Sequence, residues 1–477
     1  MRTLRLSGEF WDASRPGDVV RGQLILDDGR VRFVMDPGER LVSQRDDRGL
    51  VEPEPKKITI GDSDLAERVY PWEPAVDLSQ APCKSPLILG NVGDQEVSLF
   101  NASWHRLPKW INSDRPTEVI VEKVVLGAHL SADAEVLGLS ASVDGLTSWV
   151  ESCNPAPGRL SDGDTRGSTD VDGVSFRFRR TASDESVSAG AAQASDALWL
   201  EYSEPTPWSV QQIIPWVGAV QDIVELVSGE DCPVVSVRIR VLVEGETRQC
   251  EVFFSTSDEL DLSVDKKQLR HPFLSFEDPE SLYEFVGRWL SLYPEFSSGC
   301  GALLAYQRRS DCFVEQRVAA AAKAAEEAVK VMGGPSRQVS KSEHRDRVDA
   351  VRAALDASDV TSSTQSWAVG ALKGLNFASF RDQLNFLLRA SGPLGALVDS
   401  IDPDFVGRLV ASRNPSVHAG LPVAGGNGHL VAAALRELIT ASLFLHCGVR
   451  PDELARVKEN DAHVRWVLAN LYELAAG

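Results

Sequence analysis

From Cys312 to Met332 the chain runs without a glycine or proline and is rich in alanine, until Gly333-Gly334-Pro335 ends the run. Alanine has the highest helix propensity, and an unbroken run of this length is far longer than an ordinary strand. The segment is therefore predicted to be a helix, and it divides the chain. Before it, short apolar runs alternate with polar residues and are punctuated by Gly, Pro and Asp. After it, helical periodicity dominates. A length of 477 residues leaves room for two to four domains. The change of character near Cys300 sets the expected boundary. Residues 1–300 are expected to be a β-rich sandwich or barrel, and residues 301–477 an all-α bundle, together an α+β multidomain fold.

In the first region, Gln23–Leu26 and Val31–Met35 read as strands around Asp27-Asp28-Gly29. Ile88–Gly90 and Val97–Phe100 repeat the pattern, and Thr117–Leu126 alternates weakly. Val174–Arg180 alternates cleanly, and Val234–Val243 with Cys250–Phe254 reads as a late hairpin. Asn154–Gly173 is rich in Gly, Asp and Pro and is expected to be a loop. A helix over Pro279–Leu292 is expected to stop at Pro294. In the second region, helices are expected over Asp346–Ala357, Phe380–Ala390, Asp404–Ser412, His429–His446 and Ala462–Ala475.

The net charge of −20 is unevenly placed. Residues 301–477 carry 20 Lys+Arg and 19 Asp+Glu, whereas residues 1–300 carry 29 and 50. An acidic surface repels phosphate, so nucleic-acid binding is expected only of the second region. No apolar run approaches a membrane span, and the amino terminus lacks the apolar core of a secretory signal. Seven cysteines without a CxxC pair point to reduced thiols and a cytoplasmic protein, with no metal site. No cofactor motif stands out: Gly425-Gly426-Asn427-Gly428 lacks the strand and lysine of a phosphate loop. Trp104–Trp110 joins aromatics to basic residues and is expected to pack on the sheet. The carboxylates of Asp258–Asp265 read as a solvated face.

The segment with chemistry in it is Ser412-Arg413-Asn414-Pro415-Ser416-Val417-His418. An arginine five positions before a histidine is common; Arg337…His344 and Arg456…His463 have nearly the same spacing. Neither has an asparagine directly after the arginine. On one continuous helix, positions 413 and 418 would point about 140° apart. Pro415 is expected to end the first helix, leaving Asn414 to cap a second one, so that Arg413 and His418 converge. The alternative is structural: Arg413 pairs with a carboxylate and His418 packs in the core.

Arg413-Asn414-x-x-x-His418, behind several helices and before a long apolar one, resembles the motif of the HEPN superfamily. Phe313–Arg317 with Glu326-Glu327 resembles the first HEPN helix of the ApeA family. Gly8–Trp11, Val20–Leu24, Leu89-Gly90, Val97–Leu99, Leu126–Leu130 and Leu146–Trp149 are similar to that family's amino-terminal region, in the same order. The resemblance implies an anti-phage protein acting by abortive infection, with a small helical bundle that cuts RNA without metal. It also implies a homodimer through that bundle, a phage-derived trigger, and cellular RNA, by family analogy tRNA, as substrate. The residue types suit the reaction. His418 is assigned as general acid/base, Arg413 as the clamp on phosphate charge, and Asn414 to orienting His418 or holding a phosphate oxygen. The acidic region is expected to sense infection and restrain the nuclease. The rival is a non-enzymatic ligand-binding or dimerisation protein in which Arg413 and His418 are structural.

Overall fold

Along β1 (Leu4–Asp12) exposure alternates residue by residue until Phe10 is fully buried, as expected of a strand with one face on a core. The computed structural model describes residues 3–27, 30–37, 39, 41, 83–104, 117–153, 165–171, 174–181, 197–203, 207–254, 274–276, 279–308, 313–373, 375–418 and 428–476. After β1 come β2 (Val20–Asp27), β3 (Arg30–Met35), β4 (Cys83–Val92), β5 (Gln95–Trp104) and β6 (Glu118–Ile120). They pair in the order β4-β1-β2-β3-β6-β5, and β5 returns to β4, closing a six-stranded antiparallel barrel. Phe10, Leu24, Phe33, Ile88, Leu99 and Val119 are in its core, with the Phe10 and Phe33 rings 4.3 Å apart. At Gly90 an added side chain would run into the Phe10 ring and lie 2.8 Å from the Glu9 carbonyl oxygen. Closure leaves no exposed strand edge around the ring.

The weak alternation of Thr117–Leu126 has a structural cause. The strand is broken at Val121-Glu122 into β6 and β7 (Lys123–Leu126). Both pair with β5, but β6 goes on to β3 and closes the barrel, while β7 goes on to β14 (Glu246–Phe254). Opposite the break, Asn101 takes a left-handed backbone at φ 54°, and its amide donates to Glu122 Oε2 at 2.8 Å. Asparagine tolerates that conformation better than most residues. From β14 a second sheet runs through β13 (Val234–Val243), β8 (Glu135–Val143), β11 (Ala197–Ser203), β10 (Val174–Thr181) and β9 (Thr165–Val171). The short β12 (Trp208–Ser209) also pairs with β8.

Three helices pack on this second sheet: α1 (Leu146–Ser152), α2 (Ile213–Ser228) and α3 (Pro279–Arg308). The Trp289 indole donates to the Ala219 carbonyl at 2.8 Å, and the Tyr293 hydroxyl donates to Asp222 at 2.9 Å. These bonds satisfy polar atoms that the core would otherwise strand. Among the described residues nine further helices follow: α4 (Val314–Val331), α5 (Lys341–Asp356), α6 (Ser362–Lys373), α7 (Phe380–Ala390), α8 (Pro393–Ile401), α9 (Phe405–His418), α10 (Gly428–His446), α11 (Pro451–Asn460) and α12 (Ala462–Ala476). The second half of α3 packs on α4, and Phe285 of α3 meets Phe444 of α10 edge-on at 5.4 Å. One apolar core thus continues from the second sheet into the bundle.

The β-rich and helical regions stand as expected, with differences in detail. The described part of Asn154–Gly173 is not all loop, because residues 165–171 form β9, a polar strand paired only with β10. α3 does not stop near Pro294; it continues through that proline and across residue 300. Proline removes one helical hydrogen bond and crowds the preceding turn. Continuing the helix buries Phe296, Cys300, Leu303 and Leu304, and that burial offsets the loss. α10 is long and apolar enough to cross a membrane, but 78% of its most apolar window is buried inside the protein. Residues 105–110 and 258–265 lie outside the described residues; Trp104 is buried at the end of β5.

Lys123, the first residue of β7, is fully buried where the two sheets part. Its ammonium donates to the Val210 carbonyl at 2.7 Å and lies 5.6 Å from the centre of the Phe100 ring. Burial lowers its pKa from 10.5 to about 8, against the nearby Glu122 charge. Between those values the folded lysine is neutral while the unfolded one is protonated, so the wild type gains stability as pH rises. A Lys123→Met variant lacks this gain. Its stability relative to wild type, read from urea unfolding, should fall by up to about 3 kcal/mol between pH 7 and pH 10. A pH-independent difference would show that Lys123 keeps the pKa of an exposed lysine and stays protonated in the folded protein.

Candidate functional site

α9 carries the Arg413 motif, and its start is fixed by a buried carboxylate. Asp402, 1% exposed, accepts the Asp404 backbone N–H at 3.2 Å, Arg408 Nε at 3.0 Å and Arg408 Nη2 at 3.4 Å. A carboxylate at a helix start meets the positive end of the helix dipole. Leu409, Phe405 and Val406 are buried, and α9 packs on α4 and α7. Arg413 therefore arrives on a helix held at its start and along its apolar face.

The guanidinium of Arg413 meets Glu326 and Phe380. Nη2 donates to Glu326 Oε1 of α4 at 2.6 Å, and the guanidinium carbon lies 4.4 Å from the centre of the Phe380 ring. The Arg413 side chain is 22% exposed and that of Glu326 is 40% exposed. Phe380 opens α7 and is itself held. Ser379 caps the helix by accepting the Asp382 N–H at 3.2 Å, and the Ser379 N–H donates to Asp382 Oδ2 at 2.9 Å. The Ser379 hydrogen bonds also lower the pKa of the Asp382 carboxyl. Cation–π contact and a charge-assisted hydrogen bond together fix the plane of the arginine fork. A fork fixed in this way at a half-exposed site can receive phosphate oxygens, with Glu326 as the competitor they must displace or share.

The expected break at Pro415 is not present. α9 is one helix through His418, so positions 413 and 418 are about 140° apart around its axis, and Asn414 does not cap a new helix. The reason is local. Pro415 lies in the last turn, where its missing N–H removes a single bond near an end that frays in any case. The side chains of Asn414, Pro415 and His418 lie outside the described residues, as do residues 419–427, which hold Gly425-Gly426-Asn427. Arg413 is thus placed in its surroundings, and convergence with His418 along one chain does not follow from the backbone.

A second set of polar groups surrounds the start of α10. Arg317 Nη1 is 3.4 Å from His429 Nδ1, and burial followed by the Arg317 charge lowers the His429 pKa. The Trp466 ring stacks with His463 at 5.8 Å and lies 5.9 Å from His429. His463 Nε2 is 3.6 Å from Glu437, whose pKa burial pushes up to about 7. The expected helices contained these residues without marking them as neighbours; Glu326 and Phe380 were equally unmarked as partners of Arg413. Among the described residues no three His, Cys, Asp or Glu side chains gather as a metal site. The described free cysteines, Cys153, Cys232, Cys250, Cys300 and Cys447, are all buried.

The family model for ApeA N-terminal domain 1 matches residues 6–289, more than half of the chain. No curated protein and no solved structure shows a significant match.

The Asp402 network predicts a stability effect at a distance from Arg413. Asp402→Ala removes three hydrogen bonds and leaves Arg408 without its buried partner. It should lower the unfolding free energy by about 2 kcal/mol, measured by urea denaturation. An unchanged unfolding midpoint would mean that α9 is held by its apolar face alone.

Proposed function

The chain belongs to the ApeA family, a membership that points to anti-phage defence, and we propose that its helical region is the effector, a HEPN-type endoribonuclease that needs no metal. The observation that carries this reading is Arg413, oriented by Glu326 and Phe380 at the head of the Arg413-Asn414-x-x-x-His418 motif. RNA supplies its own nucleophile. The 2′-oxygen attacks the adjacent phosphorus, the bond from phosphorus to the 5′-oxygen breaks, and a 2′,3′-cyclic phosphate and a 5′-hydroxyl result. His418 takes the proton from the 2′-hydroxyl or delivers one to the leaving 5′-oxygen. Arg413 binds the charge that grows on the non-bridging oxygens. Asn414 holds a phosphate oxygen or orients His418.

Since α9 does not turn Arg413 and His418 toward each other within one chain, the site is read as shared between two copies. An isologous contact brings both motifs to one cleft. The substrate is cellular RNA, tRNA by family analogy, met in the cytoplasm. The acidic region, residues 1–300, restrains the nuclease until a phage-derived trigger acts, and its charge helps to keep RNA away.

One observation favours the rival reading: the Arg413–Glu326 ion pair is what a purely structural arginine would make. The readings separate in phage-infected cells carrying wild type or His418→Ala at equal soluble protein. Fragmented tRNA with wild type alone is the expected result, and EDTA should leave cleavage by the activated protein unchanged. Intact RNA in both, with protection surviving the substitution, would favour a non-enzymatic binding protein.

A further inference from the structure

Among the described residues of the helical region, the α5–α6 hairpin is the most exposed. Over residues 341–373 only Val348 and Val369 are buried. A two-helix unit with so little core is not self-supporting in water. Its base is nevertheless clamped. The Val339 N–H donates to Asn376 Oδ1 at 3.1 Å, the Asn376 amide donates back to the Val339 carbonyl at 3.1 Å, and the Ala378 N–H donates to the Ser336 carbonyl at 3.2 Å. On this held element Trp367 is 73% exposed, Leu375 61% and Phe377 74%. One exposed apolar residue is ordinary; three large ones so close in sequence mark a contact surface.

The shape of α6 selects the occupant. Residues three and four apart share a helix face, so Gly370 and Ala371 lie beside Trp367. A side chain begun at Gly370 meets nothing within 4 Å. A bulky residue beside a hollow on the same face is self-complementary, because a two-fold axis sets each bulk over the other copy's hollow. Charge points the same way. Two chains of net charge −20 repel each other, yet residues 341–373 carry five basic and five acidic residues, and α6 itself has only Lys373. This face lets two copies meet with little repulsion.

We propose that a second copy of this chain docks on the α6 face formed by Trp367, Gly370 and Ala371, with Leu375 and Phe377 extending the contact. Phe377 is three residues before Phe380, the ring beneath Arg413. Docking here therefore puts the interface on the segment that leads into the Phe380 ring beneath Arg413. Any catalytic consequence rests on the ribonuclease reading; the docking face itself does not.

Sedimentation equilibrium of the full-length chain tests the face. The wild type should be a dimer. Trp367→Ala should raise the dissociation constant at least about tenfold. Gly370→Leu should do the same without lowering thermal stability, since leucine favours the helix and the space above Gly370 is open. Leu242→Ala, an exposed apolar residue on β13, should leave the dimer unchanged. A monomeric wild type, or a dimer indifferent to both α6 variants, overturns the proposal. A dimer that leaves RNA intact in phage-infected cells refutes the ribonuclease reading and leaves this face standing; a monomer that still cuts RNA overturns this face and the shared site, but not the ribonuclease activity.

Discussion

The structure depends on a single continuous helix. α3 begins beneath the second sheet, where Phe285 and Trp289 are buried, and ends in the bundle, where Leu303 and Leu304 are buried. Because protein interiors are close-packed, two bodies that share one helix and one contiguous core do not move independently without unpacking it. The acidic and near-neutral regions are thus separate in charge but joined in packing. A truncation at residue 300 would cut α3, which packs on α4, so the loss of a restraint cannot be read from such a fragment. This coupling also gives a physical route for regulation: whatever shifts the second sheet acts on α3, and α3 packs directly on α4, which carries Glu326.

Local chemistry made the hairpins legible. Glu244-Gly245 between Val234–Val243 and Cys250–Phe254 is a turn with left-handed residues at both positions, and alternation fixed the inward faces on either side. What the chain hid was whatever depends on distant partners. α2 is apolar nearly all round, with Val220, Ile223, Val224 and Val227 buried, so neither period stands out. β9 is polar and is defined only by its pairing with β10. Pro294 and Pro415 read as stops, yet both lie inside helices. At Pro294 the penalty of roughly 3 kcal/mol is offset by the side chains buried beyond it, whereas Pro415 lies in the last turn, where one bond is lost.

The candidate site divides in the same way. Arg413 was visible from its motif, because an asparagine between arginine and histidine is uncommon. Glu326 and Phe380 come from α4 and α7, and no local pattern links them to α9. The Glu326 contact also gives the arginine a built-in competitor. Its carboxylate occupies the fork that a phosphate would take, and in a half-exposed setting an ion pair of this kind is modest in strength. On the ribonuclease proposal, a polyanion such as RNA would have to displace it. Under the proposal of a site shared between two copies, Arg413 and position 418 need not face each other on one α9.

The most direct test of the central claim is the chemistry of the RNA ends left in infected cells. Mass spectrometry of the fragments should find 2′,3′-cyclic phosphate on one side of each cut and 5′-hydroxyl on the other, because the 2′-oxygen is the nucleophile. Fragments ending in 3′-hydroxyl and 5′-phosphate would mean that water attacked instead, and would contradict the assignment of Arg413 and His418.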